Sequence, residues 1–74
     1  VYATDLLALQ LYNQGVEASS VGNSIMAARL FERATRLDPT FADAHYNLGV
    51  CYYDLRHYDK AAQAFKRVLE RYPN

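Results

Sequence analysis

Covalent or metal chemistry in this chain would have to come from Cys51, His45 or His57, its only soft ligands and nucleophile candidates. His45 and Cys51 lie six residues apart. On one helix that is about 600° of rotation, so the two side chains point in different directions. His57 falls beyond that helix, in a turn. The chain holds no HExxH, CxxC, GxSxG or phosphate-binding glycine loop. Cys51 therefore reads as a small core residue, and His45 as a structural one. Arg29, Arg33 and Arg36 form a stripe that could touch phosphate, but a solvated helix face accounts for it more simply. No catalytic residue, metal or cofactor is expected.

The elements that must position these residues are organised by an internal repeat. Shifted by 34 residues, Ala8, Tyr12, Asn13, Gly15, Val16, Ala27, Ala28, Phe31, Arg33 and Pro39 recur as Ala42, Tyr46, Asn47, Gly49, Val50, Ala61, Ala62, Phe65, Arg67 and Pro73. Ten identities in 33 aligned pairs stand against about two by chance at ordinary residue frequencies. A period of this length marks stacked supersecondary units rather than a single irregular fold.

Four helical stretches fill the two copies. The first runs from about Asp5 to Ser20, with Thr4 as N-cap and Leu7, Leu11, Gly15 and Ala18 on one stripe. Gly22 stops it in the left-handed region and Asn23 caps the next stretch, about Ser24 to Leu37, with Ala27, Leu30, Phe31, Ala34 and Leu37 inward. Asp38-Pro39-Thr40 breaks the chain. The third stretch, about Phe41 to Leu55, turns His45, Leu48, Gly49 and Tyr52 inward. Arg56-His57 is a tight turn without glycine. The fourth runs from about Tyr58 to Arg71 with Ala61, Phe65, Val68 and Leu69 inward. The small residues Gly15, Gly49, Ala27 and Ala61 let the helices of a unit approach, and Phe31 and Phe65 are expected to fill the space between units. The fold expected is all-α, two helix–turn–helix units forming one domain over 1–74, with repeats at about 8–41 and 42–74.

Composition narrows the partners. Eight basic and eight acidic residues cancel, which argues against a dedicated nucleic-acid or anionic-membrane binder. No apolar run approaches the ~20 residues needed to span a bilayer. The single Cys51 rules out an internal disulfide and fits a reducing compartment such as the cytoplasm. The chain begins at Val1 rather than Met, and reads either as a piece of a longer protein or as one whose start has been processed.

On these residues the chain resembles the tetratricopeptide repeat family, whose signature is Trp, then Leu-Gly, then Tyr in the first helix, followed by Ala, Phe and Pro. The second unit reads His45, Leu48-Gly49, Tyr52, Ala61, Phe65 and Pro73, departing at His45. The first reads Leu11, Gln14-Gly15, Ala18, Ala27, Phe31 and Pro39, with a thinner core. The resemblance covers about residues 8–74 and implies a non-enzymatic protein–protein interaction module. In such a family the first helices of successive units line a concave groove.

Carried onto this chain, the groove implied by the resemblance comprises Leu9, Tyr12, Asn13, Val16 and Ser20, then Asp43, Tyr46, Asn47, Val50, Tyr53 and Asp54. The Tyr, Asn and Val pairs repeat without being small packing residues, which makes them the site candidates. Tyr offers a large apolar face with a polar tip, and Asn can pair with peptide amides. The first-type helices carry Asp5, Glu17, Asp43 and Asp54 and no Lys or Arg, whereas all eight basic residues fall on the second-type helices or the turn leading in. A peptide or protein with apolar or aromatic anchors and a Lys or Arg is the ligand expected. The family's clamp for a chaperone C-terminal carboxylate is not expected. Read as its first two units, the chain puts Tyr12 and Val16 at Lys and Asn sites; read as its second and third, it puts Asp43 and Asn47 at Lys and Arg sites.

A rival reading is assembly. Ala62, Phe65 and Leu69 on the last helix form a surface that a further unit would cover, so the chain either self-associates there or continues a longer array. Full burial of Phe65 or Leu69 is worth roughly 1.5–3 kcal/mol each.

Overall fold

A computed structural model describes residues 3–73, with side chains from Leu6 onward. Four helices follow in order, α1 (Ala3–Ser20), α2 (Ser24–Leu37), α3 (Ala42–Asp54) and α4 (Tyr58–Arg71). α1 packs on α2 and α3 on α4, while α2 packs on α3 and joins the two pairs; α1 touches α3 lightly. The architecture is the all-α helical repeat of two helix–turn–helix units.

Local chemistry explains each turn. Gly22 takes φ 80° to end α1, and Asn23 Oδ1 accepts the Met26 N–H at 3.2 Å to start α2. After α2, Asp38 Oδ1 accepts the Thr40 N–H at 3.1 Å and its hydroxyl at 2.7 Å, so the Asp-Pro-Thr break is a side-chain-closed turn. The second unit solves the same problem less well. Arg56 occupies the position of Gly22 with φ 63°, and His57 occupies that of Asn23 without a side-chain cap.

The core is built largely from alanines. Ala27, Ala28, Phe31, Leu48, Cys51 and Ala64 form one cluster across the joint between units, and Leu11, Ala34 and Ala44 form another. A Cβ on Gly15 would stand 2.6 Å from the Phe31 ring, and one on Gly49 would stand 2.6 Å from the Phe65 ring. The phenylalanines thus fill the space inside each unit, over the glycine of the partner helix, and Phe31 alone also reaches the next unit's cluster.

Four further expectations are corrected. Thr4 lies inside α1 and does not cap it. Leu7 is exposed while Ala8 is fully buried, because a close approach of α2 admits only a methyl at that point and Leu7 is rotated about 100° away. On α4 the inward positions are Ala61 and Ala64, with Phe65 and Val68 half-buried and Leu69 58% exposed. Phe41 precedes α3 as its N-cap residue, where its ring packs on Tyr12 at 5.0 Å. The Asp5 side chain lies outside the described residues.

Candidate functional site

α1 and α3 lie side by side and are linked by one polar contact, Asn47 Nδ2 donating to the Tyr12 hydroxyl at 3.0 Å. The Tyr12 ring is held from two further sides, by Phe31 at 5.6 Å and Phe41 at 5.0 Å. Tyr12 and Asn47 are accordingly half-buried and fixed. Beside them a recess of about 320 Å³ is lined by Tyr12, Val16, Ser19, Ser20, Phe31 and Asn47.

The sequence-selected residues of α1 and α3 differ in their freedom. Asn13, Val16, Asp43, Tyr46, Tyr53 and Asp54 are exposed, as are Leu9 and Ser20, and Val50 is half-buried. Tyr46 is 54% exposed, resting on Phe65 at 5.8 Å, and Tyr53 meets Tyr58 edge-on at 5.3 Å. The repeated Tyr and Asn residues therefore split into two roles. Tyr12 and Asn47 bind each other across the joint, while their counterparts Tyr46 and Asn13 are exposed to solvent.

The Asp, Glu, Lys and Arg residues of α1 and α3 are of one sign. Glu17, Asp43 and Asp54 are exposed on α1 and α3, which carry no Lys or Arg. Among the described residues the one ion pair is Arg67 with Glu70 at 3.8 Å, exposed on α4.

The opposite side of the joint holds a larger recess, about 440 Å³, that the repeat pattern did not reveal. Ile25, Ala28 and Leu55 form its apolar wall, and Arg29, Glu32, His57 and Lys60 its polar rim. Tyr52 crosses it, donating its hydroxyl to Glu32, stacked on His57, with Lys60 Nζ 5.6 Å over its ring. Burial and the Glu32 carboxylate hold the Tyr52 phenol well above its ordinary range. The signal was weak because Glu32 and Tyr52 have no counterparts, standing opposite Lys66 and Ala18 in the repeat.

The chemistry-bearing residues have structural surroundings. Cys51 is buried, and desolvation aided by Asp54 raises its thiol to about 11. His45 Nε2 donates to the Pro39 carbonyl at 2.9 Å and so ties α3 to the preceding turn. Among the described residues no three His, Cys, Asp or Glu side chains converge, and no helix is long and apolar enough to cross a membrane.

Comparison with known proteins agrees with this geometry. Over 70 residues the chain is 38% identical to the probable UDP-N-acetylglucosamine–peptide N-acetylglucosaminyltransferases SPINDLY of Oryza sativa subsp. japonica and Hordeum vulgare. Over 77 residues it is 38% identical to an FK506-binding protein-like protein of Rattus norvegicus. Each match takes in 93% of this chain, yet the chain spans only 8%, 7% and 22% of the respective relatives. The shared part is thus the helical repeat, and the family model described as tetratricopeptide repeat matches residues 12–74. With paired helices recurring every 34 residues and that match running from Tyr12 to Asn74, the chain belongs to the tetratricopeptide repeat family.

Proposed function

We propose that this chain is a recognition module that binds a peptide or protein segment along α1 and α3. The observation that carries the reading is the α1–α3 face itself. A recess beside a fixed Tyr12–Asn47 pair is lined in part by the exposed Val16, Tyr46 and Tyr53 are exposed on α3, and α1 and α3 bear acidic residues and no Lys or Arg. Exposed aromatic rings on rigid helices bind at low entropic cost. The favoured ligand carries an apolar or aromatic anchor and a Lys or Arg, steered by Glu17, Asp43 and Asp54. A free C-terminal carboxylate is disfavoured, because Asp43 repels it.

A peptide-display selection against the chain tests this. Selected peptides should combine an aromatic or aliphatic residue with a basic one. Tyr46→Ala and Tyr53→Ala should each weaken binding about tenfold or more if they are hot spots. Replacing the basic residue by Glu should weaken binding at low salt and matter less at high salt. Selected peptides that bind both alanine variants as tightly as the wild type would move the site elsewhere.

A second reading has its own observation. Ala28 is buried by the second unit, whereas its counterpart Ala62 is exposed and Leu69 stands beside it in solvent. Ala62, Leu69 and the outer edge of the Phe65 ring form an assembly surface on α4.

A further inference from the structure

α2 and α4 both pack on α3 and stand apart from each other. Between them, on the side away from the α1–α3 groove, runs a crease with α3 at its floor. The recess of about 440 Å³ that Tyr52 crosses is one half of it. A second recess, of about 230 Å³, adjoins it at Tyr52 and Lys60. Ile25, Ala28 and Leu55 give the first an apolar wall, and Leu48 and Ala64 give the second an apolar floor.

The crease has more positive charge than it uses. Arg29 stands on the α2 wall and Lys60 on the α4 wall, both exposed. Among the described residues neither forms an ion pair, whereas Arg67, in the second recess, is held by Glu70 at 3.8 Å. Glu32 is the one carboxylate lining either recess, and the Tyr52 hydroxyl already donates to it. Two cations are thus left without a counter-charge beside apolar surface. The repeat does not account for them. Ile25, Arg29 and Lys60 stand opposite Asp59, Gln63 and Met26 in the other unit. Packing needs none of the three, since all are exposed, Ile25 at 60%.

We propose that this crease is a second binding site, for an extended acidic peptide segment of a partner protein. An aliphatic or aromatic side chain of that segment lies against Ile25, Ala28 and Leu55, and its Asp or Glu carboxylate sits between Arg29 and Lys60. Lys60 is held 5.6 Å over the Tyr52 ring before the ligand arrives, so little side-chain freedom remains to be lost. Apolar contact beside the pair excludes water and strengthens the charge-assisted hydrogen bonds. Two adjoining recesses suit an extended chain that sets side chains in both. A phosphate backbone fits less well, because it brings charge at every step and Glu32 repels it. The site shares no residue with the α1–α3 groove and selects the opposite charge.

A display library of peptides with a Glu fixed at the centre and randomised flanks, selected on the 74-residue chain, tests the site. Enriched peptides should carry an aliphatic or aromatic residue close to the Glu. Fluorescence anisotropy with these peptides, labelled, then reads affinity for variants at exposed positions whose folding is checked by circular dichroism. Lys60→Glu and Arg29→Glu should each weaken binding about tenfold or more at low salt. Ile25→Asp should weaken it to a similar extent. Exchanging the peptide's Glu for Lys should recover binding to the Lys60→Glu variant, which a merely structural role of Lys60 does not explain. No enrichment, or enriched peptides that bind Lys60→Glu as tightly as wild type, overturns the proposal. A loss on Tyr46→Ala that Lys60→Glu does not share places the peptides in the α1–α3 groove and overturns it as well. Phosphatidylserine vesicles that bind through Lys60 while every peptide fails would reassign the crease to a membrane surface.

Discussion

Substituting Gly15 and Gly49 by alanine, one at a time, should separate two rings that face the same steric problem in different surroundings. A methyl group at either position would stand 2.6 Å from Cε1 of its phenylalanine. Carbon atoms pack at about 3.5–4.0 Å, so each ring must shift by about 1 Å. Phe31 is 1% exposed, locked in the joint cluster and against Tyr12. Phe65 is half-buried, with Tyr46 on one side and solvent nearby, so its ring can swing outward. Both variants gain about 1 kcal/mol from replacing glycine in a helix interior. Overpacking costs about 1–3 kcal/mol, toward the upper end at Gly15 and the lower end at Gly49. Gly15→Ala should therefore lose about 1–2 kcal/mol, and Gly49→Ala should stay within about 0.5 kcal/mol of wild type. In a domain of this size the first loss lowers Tm by roughly 5–15 °C. Urea and thermal unfolding followed by circular dichroism measure both. A Gly49→Ala variant destabilised as much as Gly15→Ala would refute the claim that burial of the ring decides the outcome.

Arg56→Gly should raise stability by about 1 kcal/mol, since Arg56 holds a left-handed φ of 63° that glycine adopts without strain; an unchanged urea midpoint would count against it. His57→Asn should add a similar amount by restoring the cap that Asn23 provides in the first unit. For Cys51, whose thiol ionises at 9.0 when unperturbed and at about 11 here, both states are protonated below pH 9. Above it the unfolded chain alone loses the proton, so stability falls by about 1.4 kcal/mol per pH unit up to the folded value. Cys51→Ala should flatten that slope relative to wild type, while the raised Tyr52 phenol adds its own loss above pH 10 in both proteins. A double-mutant cycle of Tyr12→Phe and Asn47→Ala should show a coupling of about 0.5–1.5 kcal/mol, and additive losses would mean that the hydrogen bond does not hold the joint.

Helix existence, order and the first two turns were legible because each has a local cause. Gly22, Asn23 and Pro39 punctuate the chain through their own backbone and side-chain chemistry. Which side of a helix faces inward was less legible where two apolar candidates adjoin. Leu7 and Ala8 both fit a helical stripe, and only the close approach of α2 chooses the methyl. Leu69 and Ala64 pose the same ambiguity on α4, settled toward the smaller residue. Of the candidate site, the absence of Lys and Arg from α1 and α3 could be read directly, since a charge count along the chain suffices. The Tyr52–Glu32 contact could not, because it joins residues 20 apart with no counterpart in the other unit.

Repetition alone does not distinguish a residue kept for the joint from one kept for a ligand. Tyr12 and Tyr46 are the same residue at the same register, yet Tyr12 is enclosed by Phe31, Phe41 and Asn47 while Tyr46 has Phe65 on one side and is otherwise open. What differs is the neighbour that the next unit supplies. In the proposed groove, therefore, contact falls to side chains still exposed after the units have stacked, chiefly Val16, Tyr46 and Tyr53. Specificity falls to the positions where the copies disagree. Asp43 and Asp54 stand opposite Leu9 and Ser20, so at these two positions the negative charge belongs to α3, and the exposed leucines belong to α1. A ligand lying across both helices is thereby oriented, its basic residue over α3 and its aliphatic anchor over α1. Moving the charge with Leu9→Asp and Asp43→Leu should reverse the preferred order of those residues in selected peptides, because the field and the apolar surface exchange places on an unchanged backbone.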